Sequence, residues 1–436
     1  MQPILQRIFS VKKEEIRLLL LSTGFIFLLF ASYAILRPLR DTLGLEGGDT
    51  ELKWLFLATF VVMCIASLAS MWLSTKLKRK NYLNAIYLFF VSNLIALYVA
   101  MQSIAPHTEA FIWLCRVFYV WVSVFNLFVI SSAWSLLTDV FERDSSRRLF
   151  GIISAGASFG SIAGSSLVSI FTISTTSFIF ASIVFLCLAL WIKWLLIREA
   201  STIAKNSNAF LARFQKTIGS SNPFAGFWLI LRSKYLLALL AFILLLTSVN
   251  TFLYMEQMRI VKELFPTREA RAQAFANINL IIQTLSFVFQ IFLTAKIVEY
   301  FGIKWLLSLL GFVMGVGFIV LSYTHPHFLP LVIAMCFRSV GEYALVKPGR
   351  EMLFVPLDSD AKYKVKNFLD TAVYRGGDAL SAQIESAVLK FGVGAALLVG
   401  AALSFLWGFV GLYLAKSYEK NQKSLNKTLK FRANTS

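Results

Sequence analysis

Residues 16–40 read IRLLLLSTGFIFLLFASYAILRPLR, an apolar stretch that ends in two arginines. Because a helix needs about 20 apolar residues to cross a lipid bilayer, this stretch predicts a membrane span. Similar stretches recur along the chain of 436 residues, of which 58% are hydrophobic and 15% are charged. Soluble domains are about 45–50% apolar and about 25% charged. The composition therefore excludes a soluble enzyme and predicts an integral membrane protein.

Apolar runs separated by polar breaks predict twelve spans. Numbered in chain order, they cover residues 16–40, 54–75, 82–103, 111–138, 149–171, 177–196, 235–255, 272–295, 303–323, 327–346, 367–389 and 393–415. The longest polar interruption divides the chain into an N-terminal six-helix half (1–196), a cytoplasmic linker (197–234), a C-terminal six-helix half (235–416) and a basic cytoplasmic tail (417–436). The expected fold class is an all-α integral membrane protein with twelve transmembrane helices in two six-helix halves.

The chain carries 42 Lys and Arg against 23 Asp and Glu, a net charge of +19. In a soluble protein this excess would suggest nucleic-acid binding, but here most basic residues fall in loops on one side of the predicted spans. Basic loops mark the cytoplasmic side of a membrane protein, so both termini are predicted to be cytoplasmic. The expected contacts of these charges are lipid headgroups. Neither a nucleic acid nor an obligate protein partner is predicted.

Signals for catalysis or metal binding are missing from the sequence. The four cysteines lie in apolar runs, which predicts neither disulfides nor a thiolate metal site. The three histidines fall in predicted outer loops, and the neighbouring His325 and His327 are too few to form a metal site. There is no Gly-x-x-x-x-Gly-Lys-Ser/Thr phosphate loop and no paired nucleophile and base. We therefore predict no enzyme activity, no catalytic residue, no metal and no cofactor.

The end of span 1 carries the first candidate binding residues. Tyr33, Arg37 and Arg40 are spaced i, i+4, i+7 and share one helix face, while Pro38 can kink the helix between them. Two guanidinium groups on one face suit a phosphate or a carboxylate, because each offers a two-pronged donor. The alternative is that both arginines reach the membrane interface, with Asp41 as their partner. We assign Asp41 a gating or coupling role.

Three further spans carry polar residues on one helix face, and such residues inside a membrane are functional candidates. The candidates for substrate binding are Arg116, Tyr119 and Asn126 in span 4, Asn250 and Tyr254 in span 7, and Arg338 and Glu342 in span 10. Ser123 lies on the same face of span 4. Arg338 and Glu342 are spaced i, i+4 and could instead pair with each other. In that case they would only hold helices together.

Spans 11 and 5 each have an unusual composition. Span 11 is polar for a membrane helix, since Asp370 and Asp378 share a face near Arg375. These three residues could gate or couple transport, or they could form charge pairs that hold helices together. In span 5, residues 156–164 read GASFGSIAG, a repeat of small residues that lets helices approach closely. We interpret this repeat as a packing surface.

Two motifs carry a resemblance to a known family. Residues 343–358 read YALVKPGREMLFVPLD, and residues 33–43 read YAILRPLRDTL. They resemble the nucleotide transporter family, the ATP/ADP translocases of plastids and intracellular bacteria. Members of that family carry Tyr-x-Leu-x-x-Pro-x-Lys-Glu-Met-x-Tyr-Ile-Pro-Leu-Asp after span 10 and Tyr-x-Ile-Leu-Arg-x-x-Lys-Asp-x-Leu in span 1. The two six-span halves and the basic central loop also resemble the major facilitator superfamily, whose substrate sites lie near the midplane between the halves.

The resemblance implies a twelve-span antiporter that binds ATP or a related nucleotide and exchanges it by alternating access. Arg40 matches a family lysine linked to transport, and Lys347 would lie at the cytoplasmic mouth, where it would attract anions. Tyr119 and Tyr254 stand where the family has glutamates, so the site would be more cationic and the substrate stays open. The short segment before span 1 favours the bacterial inner membrane over the plastid.

Two other functions are compatible with the sequence. The first is a proton-coupled carrier of another organic anion, in which Glu342, Asp370 or Asp378 would be the titrating group. The second is a non-transporting membrane component that uses the same fold to hold a partner or to flip a lipid. Unbroken apolar helix faces would favour this second function, and the polar faces described above argue against it. The expected partner is therefore a small anionic solute.

Overall fold

Long helices occupy most of the predicted spans in the computed structural model, which describes residues 15–141, 143–203, 226–292, 294–354, 365–366 and 368–435. Spans 1–6 are helices Ile16–Leu43, Leu52–Lys76, Arg79–Ser103, Glu109–Val140, Arg143–Ile170 and Thr175–Ile203. A short helix, Gly226–Leu231, precedes span 7. Spans 7, 8, 9 and 12 are Lys234–Leu264, Arg268–Phe292, Thr294–Thr324 and Val393–Thr435. Within these ranges eleven helices are long and apolar enough to cross a membrane, which confirms the all-α membrane fold.

Spans 10 and 11 are built from several helical pieces. Span 10 comprises helix Phe328–Gly341, the π-helical turn Glu342–Val346 and helix Lys347–Met352. Span 11 comprises the π-helical turn Leu369–Val373, helix Tyr374–Val388 and the 3₁₀ turn Leu389–Phe391. A π-helical turn adds a residue to the helix and is frequent at functional sites. Span 11 is the segment that does not count among the eleven apolar helices.

The helices group into two units. Unit 1 comprises residues 1–48, 65–220 and 265–284, and unit 2 comprises residues 49–64, 221–264 and 285–436. Unit 1 therefore contains most of the predicted N-terminal half together with the first part of span 8. Unit 2 contains most of the predicted C-terminal half together with the first part of span 2. Residues 204–225 of the predicted linker lie outside the described residues.

Glycines of span 5 place span 1 inside unit 1. A Cβ at Gly160 would collide with the carbonyl group of Phe27, and a Cβ at Gly164 would collide with that of Ala31. A Cβ at Gly156, one turn earlier, would likewise collide with Thr23 of span 1. The backbones therefore touch along three successive turns, as small-residue repeats allow. This contact confirms the packing interpretation and holds the helix that carries Arg37.

A single glycine brings polar span 11 against span 7 in unit 2. A Cβ at Gly377 would collide with the hydroxyl group of Thr247. One turn further along span 7, Thr251 donates a hydrogen bond to Asp378, the residue after this glycine (3.2 Å). The close approach of the two helices at Gly377 therefore brings Thr251 within hydrogen-bonding distance of Asp378. A carboxyl group at this position would be costly in lipid without such a partner.

Candidate substrate-binding residues and charge pairs

Arg40 is held by its neighbours in unit 1. Its Nε and Nη2 atoms donate to Oδ1 of Asp41 (2.9 and 2.6 Å), and Nη1 donates to the hydroxyl of Ser123 (3.5 Å). The guanidinium carbon lies 5.2 Å from the centre of the Tyr119 ring. Asp41 therefore compensates the charge of Arg40, and the pair joins the end of span 1 to span 4. Tyr119 is only 3% exposed, so a solute could contact its ring only if Arg40 moved.

Arg37, one turn earlier in span 1, is in a different situation. It is half-buried, and within the described ranges it makes neither a hydrogen bond nor an ion pair. Tyr33 lies one further turn back, is also half-buried and likewise has no hydrogen-bond partner in that part of the chain. The structure therefore leaves one guanidinium group and one phenol of span 1 able to bind a ligand.

The contact between Arg40 and Ser123 fixes the level of span 4 relative to span 1. The two spans run in opposite directions and each rises about 1.5 Å per residue. Arg37 lies three residues before Arg40 in span 1, and Asn126 lies three residues after Ser123 in span 4. Because the spans are antiparallel, these two steps lead in the same direction, and Asn126 and Arg37 lie at the same height along the helices. Asn126 is half-buried and has no hydrogen-bond partner among the described residues. We call Tyr33, Arg37 and Asn126 the unit 1 anion site, a candidate for binding a negatively charged ligand.

Arg116 lies away from the unit 1 anion site. It precedes Ser123 by seven residues along span 4, which places it about 10 Å beyond the level of Arg40. Its guanidinium carbon lies 4.4 Å from the centre of the Trp113 ring. Trp113 is exposed, as is typical of aromatic residues at a membrane interface. The structure thus does not bring Arg116 to Arg37.

Arg338 of span 10 is the centre of a hydrogen-bonded group in unit 2. Its Nη1 atom donates to Oδ1 of Asn250 (2.8 Å) and to Oε2 of Glu342 (3.0 Å), and Nη2 donates to Ser339 (2.8 Å). The amide group of Asn250 donates to the hydroxyl of Tyr374 (3.3 Å). The structure thus shows the pairing of Arg338 with Glu342 that the sequence left as an alternative.

The acidic residues of span 11 are also paired with arginines. Asp378 is buried and accepts from Thr251 and, more weakly, from Nη1 of Arg375 (3.4 Å). Asp370 lies 3.4 Å from Nη1 of Arg350. Each predicted coupling acid of span 11 therefore has a guanidinium group beside it in unit 2.

Two predicted residues of unit 2 lie apart from these pairs. Tyr254 packs edge-on against Phe56 of span 2, with the ring centres 5.6 Å apart. Lys347 is exposed, and its ammonium group lies 4.0 Å from the centre of the Tyr343 ring. Residues 355–364 comprise the end of the motif at 343–358 and two lysines that follow it, Lys362 and Lys364, and they lie outside the described residues.

Sequence reasoning missed an ion pair in unit 1. Arg268, the first residue of the span 8 helix, donates through Nε and Nη2 to both carboxylate oxygens of Glu46 (2.6 and 2.8 Å). Its guanidinium carbon also lies 4.6 Å from the centre of the Phe111 ring. The two charged residues are 222 positions apart, so no local pattern links them.

A second missed group lies in unit 2. Arg259 donates to Glu256 and to Glu385, and Glu256 also contacts His325. The span 7 helix continues to Leu264, whereas the predicted span ends at residue 255, so Glu256 and Arg259 were assigned to a loop. Their i, i+3 spacing before Pro266 is the signal that could have extended the helix. Within the described ranges no group of three His, Cys, Asp or Glu side chains could hold a metal.

Eleven apolar helices among the described residues are the architecture of a multi-pass membrane protein. The sequence pattern of the Major Facilitator Superfamily matches residues 18–341, so the chain belongs to that superfamily of transporters of small organic solutes. A search of curated proteins gave no match.

Solved transporter structures share the fold at low sequence identity. A peptide transporter POT in complex with sulfate has a TM-score of 0.67 and 13% identity, and the match covers 93% of this chain and 95% of that one. A bacterial homologue of the human lysosomal transporter Spinster, inward-facing and unoccupied, has a TM-score of 0.61 and 14% identity over 94% and 99% of the two chains. The nucleoside transporter NupG has a TM-score of 0.57 and 15% identity over 93% and 99%.

Proposed function

We propose that the protein exchanges an anionic metabolite, with a nucleotide as the favoured substrate, across the membrane by alternating access. The observation that carries this proposal is Arg37, a half-buried guanidinium group of span 1 with no partner among the described residues. Ionisable groups inside a membrane are costly and are retained where they serve a function. An anion is the ligand that would compensate this charge.

The chemistry of the unit 1 anion site fits a phosphate-bearing solute. A guanidinium group donates two parallel hydrogen bonds to a phosphate. Tyr33 offers a hydroxyl and a ring face, and Asn126 offers both a donor and an acceptor. These groups could contact a nucleobase or a ribose, which is why a nucleotide is favoured over a simple inorganic anion. The two family motifs support the same substrate class.

Exchange, rather than one-way transport, follows from the charge of the empty site. Without an anion, Arg37 is an uncompensated charge in a poorly hydrated environment, and such a charge costs several kcal/mol. An empty carrier would therefore change conformation slowly, whereas a loaded carrier would change quickly. The result is counter-exchange of one anion for another.

The experiment is counterflow into liposomes that contain the purified protein. Liposomes are loaded with one unlabelled solute, and uptake of the same labelled solute is followed for nucleotides, other phosphorylated metabolites, organic acids and the uncharged nucleosides. We expect fast uptake of at least one nucleotide into loaded liposomes and slow uptake into empty ones. Uptake of no nucleotide by folded protein contradicts the nucleotide assignment, and uptake of nucleosides alone contradicts an anion site.

A proton-coupled carrier of another organic anion is the second candidate. It is favoured by Asp378, whose carboxyl group is buried beside Arg375 and Thr251. Under this function an inward pH gradient would drive uptake into empty liposomes, and Asp378→Asn would abolish that uptake. Under anion exchange the gradient alone drives no accumulation, and Asp378→Asn retains counterflow within about threefold.

The proposed location is the bacterial inner membrane, with both termini in the cytoplasm. It rests on the basic loops, which the order of the predicted spans assigns to the side of the termini. Reporter fusions after residue 436 and in the loops between spans test the orientation. A C-terminal reporter that is active on the outer side of the membrane would show that the orientation is the opposite of the one proposed.

A further inference from the structure

The group formed by Glu256, Arg259, Glu385 and His325 in unit 2 has no role in the exchange described above. We propose that it is a proton-binding site that ties spans 7, 9 and 11 together, so that the pH on the side where these spans end controls the conformation of unit 2. This inference rests on the geometry of the group and holds for any transported solute.

One guanidinium group serves two buried carboxylates. Arg259 donates through Nη1 to Glu256 and through Nη2 to Glu385. Glu256 is fully buried and Glu385 is only 3% exposed. Two negative charges therefore share one positive charge away from water. A buried charge of this kind needs a partner, since an uncompensated one is strongly destabilising.

His325 supplies the second positive charge when it is protonated. Its Nδ1 atom lies 2.6 Å from Oε1 of Glu256, and its Nε2 atom lies 3.7 Å from Oε2 of Glu263. Both ring nitrogens therefore face carboxylate oxygens. Only the imidazolium form can donate from both nitrogens, because neutral histidine carries one N–H and one acceptor. Histidine ordinarily changes its charge between pH 5 and pH 8.

The proton on His325 changes the balance between positive and negative charges in the group. With His325 protonated, two cations face the two buried carboxylates of the group, and the sum is zero. Loss of the proton removes one of the two cations that contact these carboxylates, and it removes the donor that His325 offers to one of its two carboxylate neighbours. Two further charged groups contact this group or its cavity: Glu263, which is half exposed, and Lys53, which lines a small cavity together with Arg259 and Glu385. The ammonium group of Lys53 lies over the Trp54 ring (5.7 Å).

The four residues come from the ends of three spans, so protonation of His325 affects how these ends pack together. Glu256 and Arg259 lie near the end of span 7, His325 follows the end of span 9, and Glu385 lies near the end of span 11. Proton binding therefore stabilises the arrangement in which these three ends touch, and proton loss favours their separation. By linkage, a conformation that separates the ends binds the proton less tightly. Because the group lies at the ends of the spans, we expect pH to set the rate of transport without driving it.

The test measures how fast a cysteine in this group becomes accessible. Ser386→Cys lines the same cavity as Arg259 and Glu385 and is introduced after the native cysteines are replaced by serine or alanine. A membrane-impermeant maleimide labels it in proteoliposomes between about pH 6 and about pH 8. His325→Gln serves as the permanently neutral variant and His325→Arg as the permanently charged one. His327→Gln is the matched control, because the Nδ1 atom of His327 contacts the carbonyl oxygen of Thr324 instead of a carboxylate.

Because all variants carry the same cysteine, the pH dependence of the thiol itself cancels between them. We expect the ratio of labelling rates, His325→Gln over parent, to be largest at the acidic end. It should fall by up to about tenfold per pH unit, the limit for one proton. His325→Arg should label slowly at every pH, and His327→Gln should match the parent. A constant ratio of His325→Gln to parent, or loss of the pH effect in His327→Gln, overturns the proposal.

Discussion

In unit 1, Arg37 of span 1 has no hydrogen-bond or ion-pair partner among the described residues, whereas in unit 2 Arg338 of span 10 has three acceptors. Lys193 and Arg259 show the same contrast, whereas two other arginines of unit 1, Arg40 and Arg268, are paired with Asp41 and Glu46. Lys193 in unit 1 contacts only the amide oxygen of Asn84 (2.7 Å) and the ring of Tyr87 (4.8 Å) within the described ranges. Arg259 in unit 2 is bound by two carboxylates.

The difference assigns separate tasks to the two units. A cation without a carboxylate partner attracts an anion, so the unit 1 anion site is suited to substrate binding. A cation that already has a carboxylate partner gains little from an anion and instead stabilises one arrangement of helices. The paired arginines of unit 2 are therefore suited to controlling conformation. Three substitutions test this assignment.

The largest effect is expected for Arg37→Gln. The substitution keeps a polar side chain but removes the charge, and a hydrogen bond to a charged group contributes about 1.5–3 kcal/mol. We expect anion counterflow to fall about 10-fold to 100-fold. Arg17→Gln is the control, because the Arg17 side chain is 74% exposed at the other end of the same helix. Equal counterflow in the two variants would remove Arg37 from the site.

A smaller effect, mainly on stability, is expected for Glu342→Gln. The substitution leaves Arg338 with Asn250 and Ser339 but without its carboxylate, so unit 2 would acquire a poorly compensated guanidinium group. We expect the free energy of unfolding to fall by about 1–3 kcal/mol, while counterflow stays within about threefold. Thermal unfolding in detergent measures the first quantity. Glu109→Gln, at an exposed carboxylate, should leave it unchanged.

A loss of counterflow in Glu342→Gln without a loss of stability would contradict the assignment. It would place Glu342 in the transport step itself, as the proton-coupled function requires. The pH-gradient experiment on the same variant then separates a titrating role from a substrate contact.

The smallest effect is expected for Lys193→Met. Lys193 is buried and its partners are uncharged, so an apolar side chain of similar length removes a charge that no carboxylate among the described residues balances. Replacement of a buried charge by a well-packed apolar group is often neutral or stabilising. We expect the stability to change by less than about 1 kcal/mol and counterflow to be unaffected. A tenfold loss of counterflow would instead place Lys193 on the path of the anion.

The sequence predicted the helices well because a membrane span is a local property. Twenty apolar residues between polar breaks are recognisable without knowledge of the rest of the chain. The pairing of Arg338 with Glu342 was also accessible as an alternative, since residues spaced i, i+4 lie side by side on a helix. The glycine repeat of span 5 was correctly interpreted because close packing requires small residues wherever the partner helix lies.

The remaining charge pairs could not be predicted because they depend on which helices meet. Arg268 and Glu46 are 222 positions apart in the sequence, and Arg259 reaches Glu385 across 126 positions. The end of span 7 was placed nine residues too early, before Glu256 and Arg259, since hydropathy falls at these charges although the helix continues to Leu264. Burial among neighbouring helices, which hydropathy does not measure, allows the charges to stay inside the span.

The most direct test of the account compares two ligands that differ only by a phosphate group. Equilibrium binding of a nucleotide and of its nucleoside is measured on purified wild-type protein and on Arg37→Gln. The account predicts that the wild type binds the nucleotide at least about tenfold more tightly, and that Arg37→Gln loses most of this preference while nucleoside binding changes little. An undiminished preference for the nucleotide in Arg37→Gln would contradict the central claim that unit 1 binds the anion through Arg37.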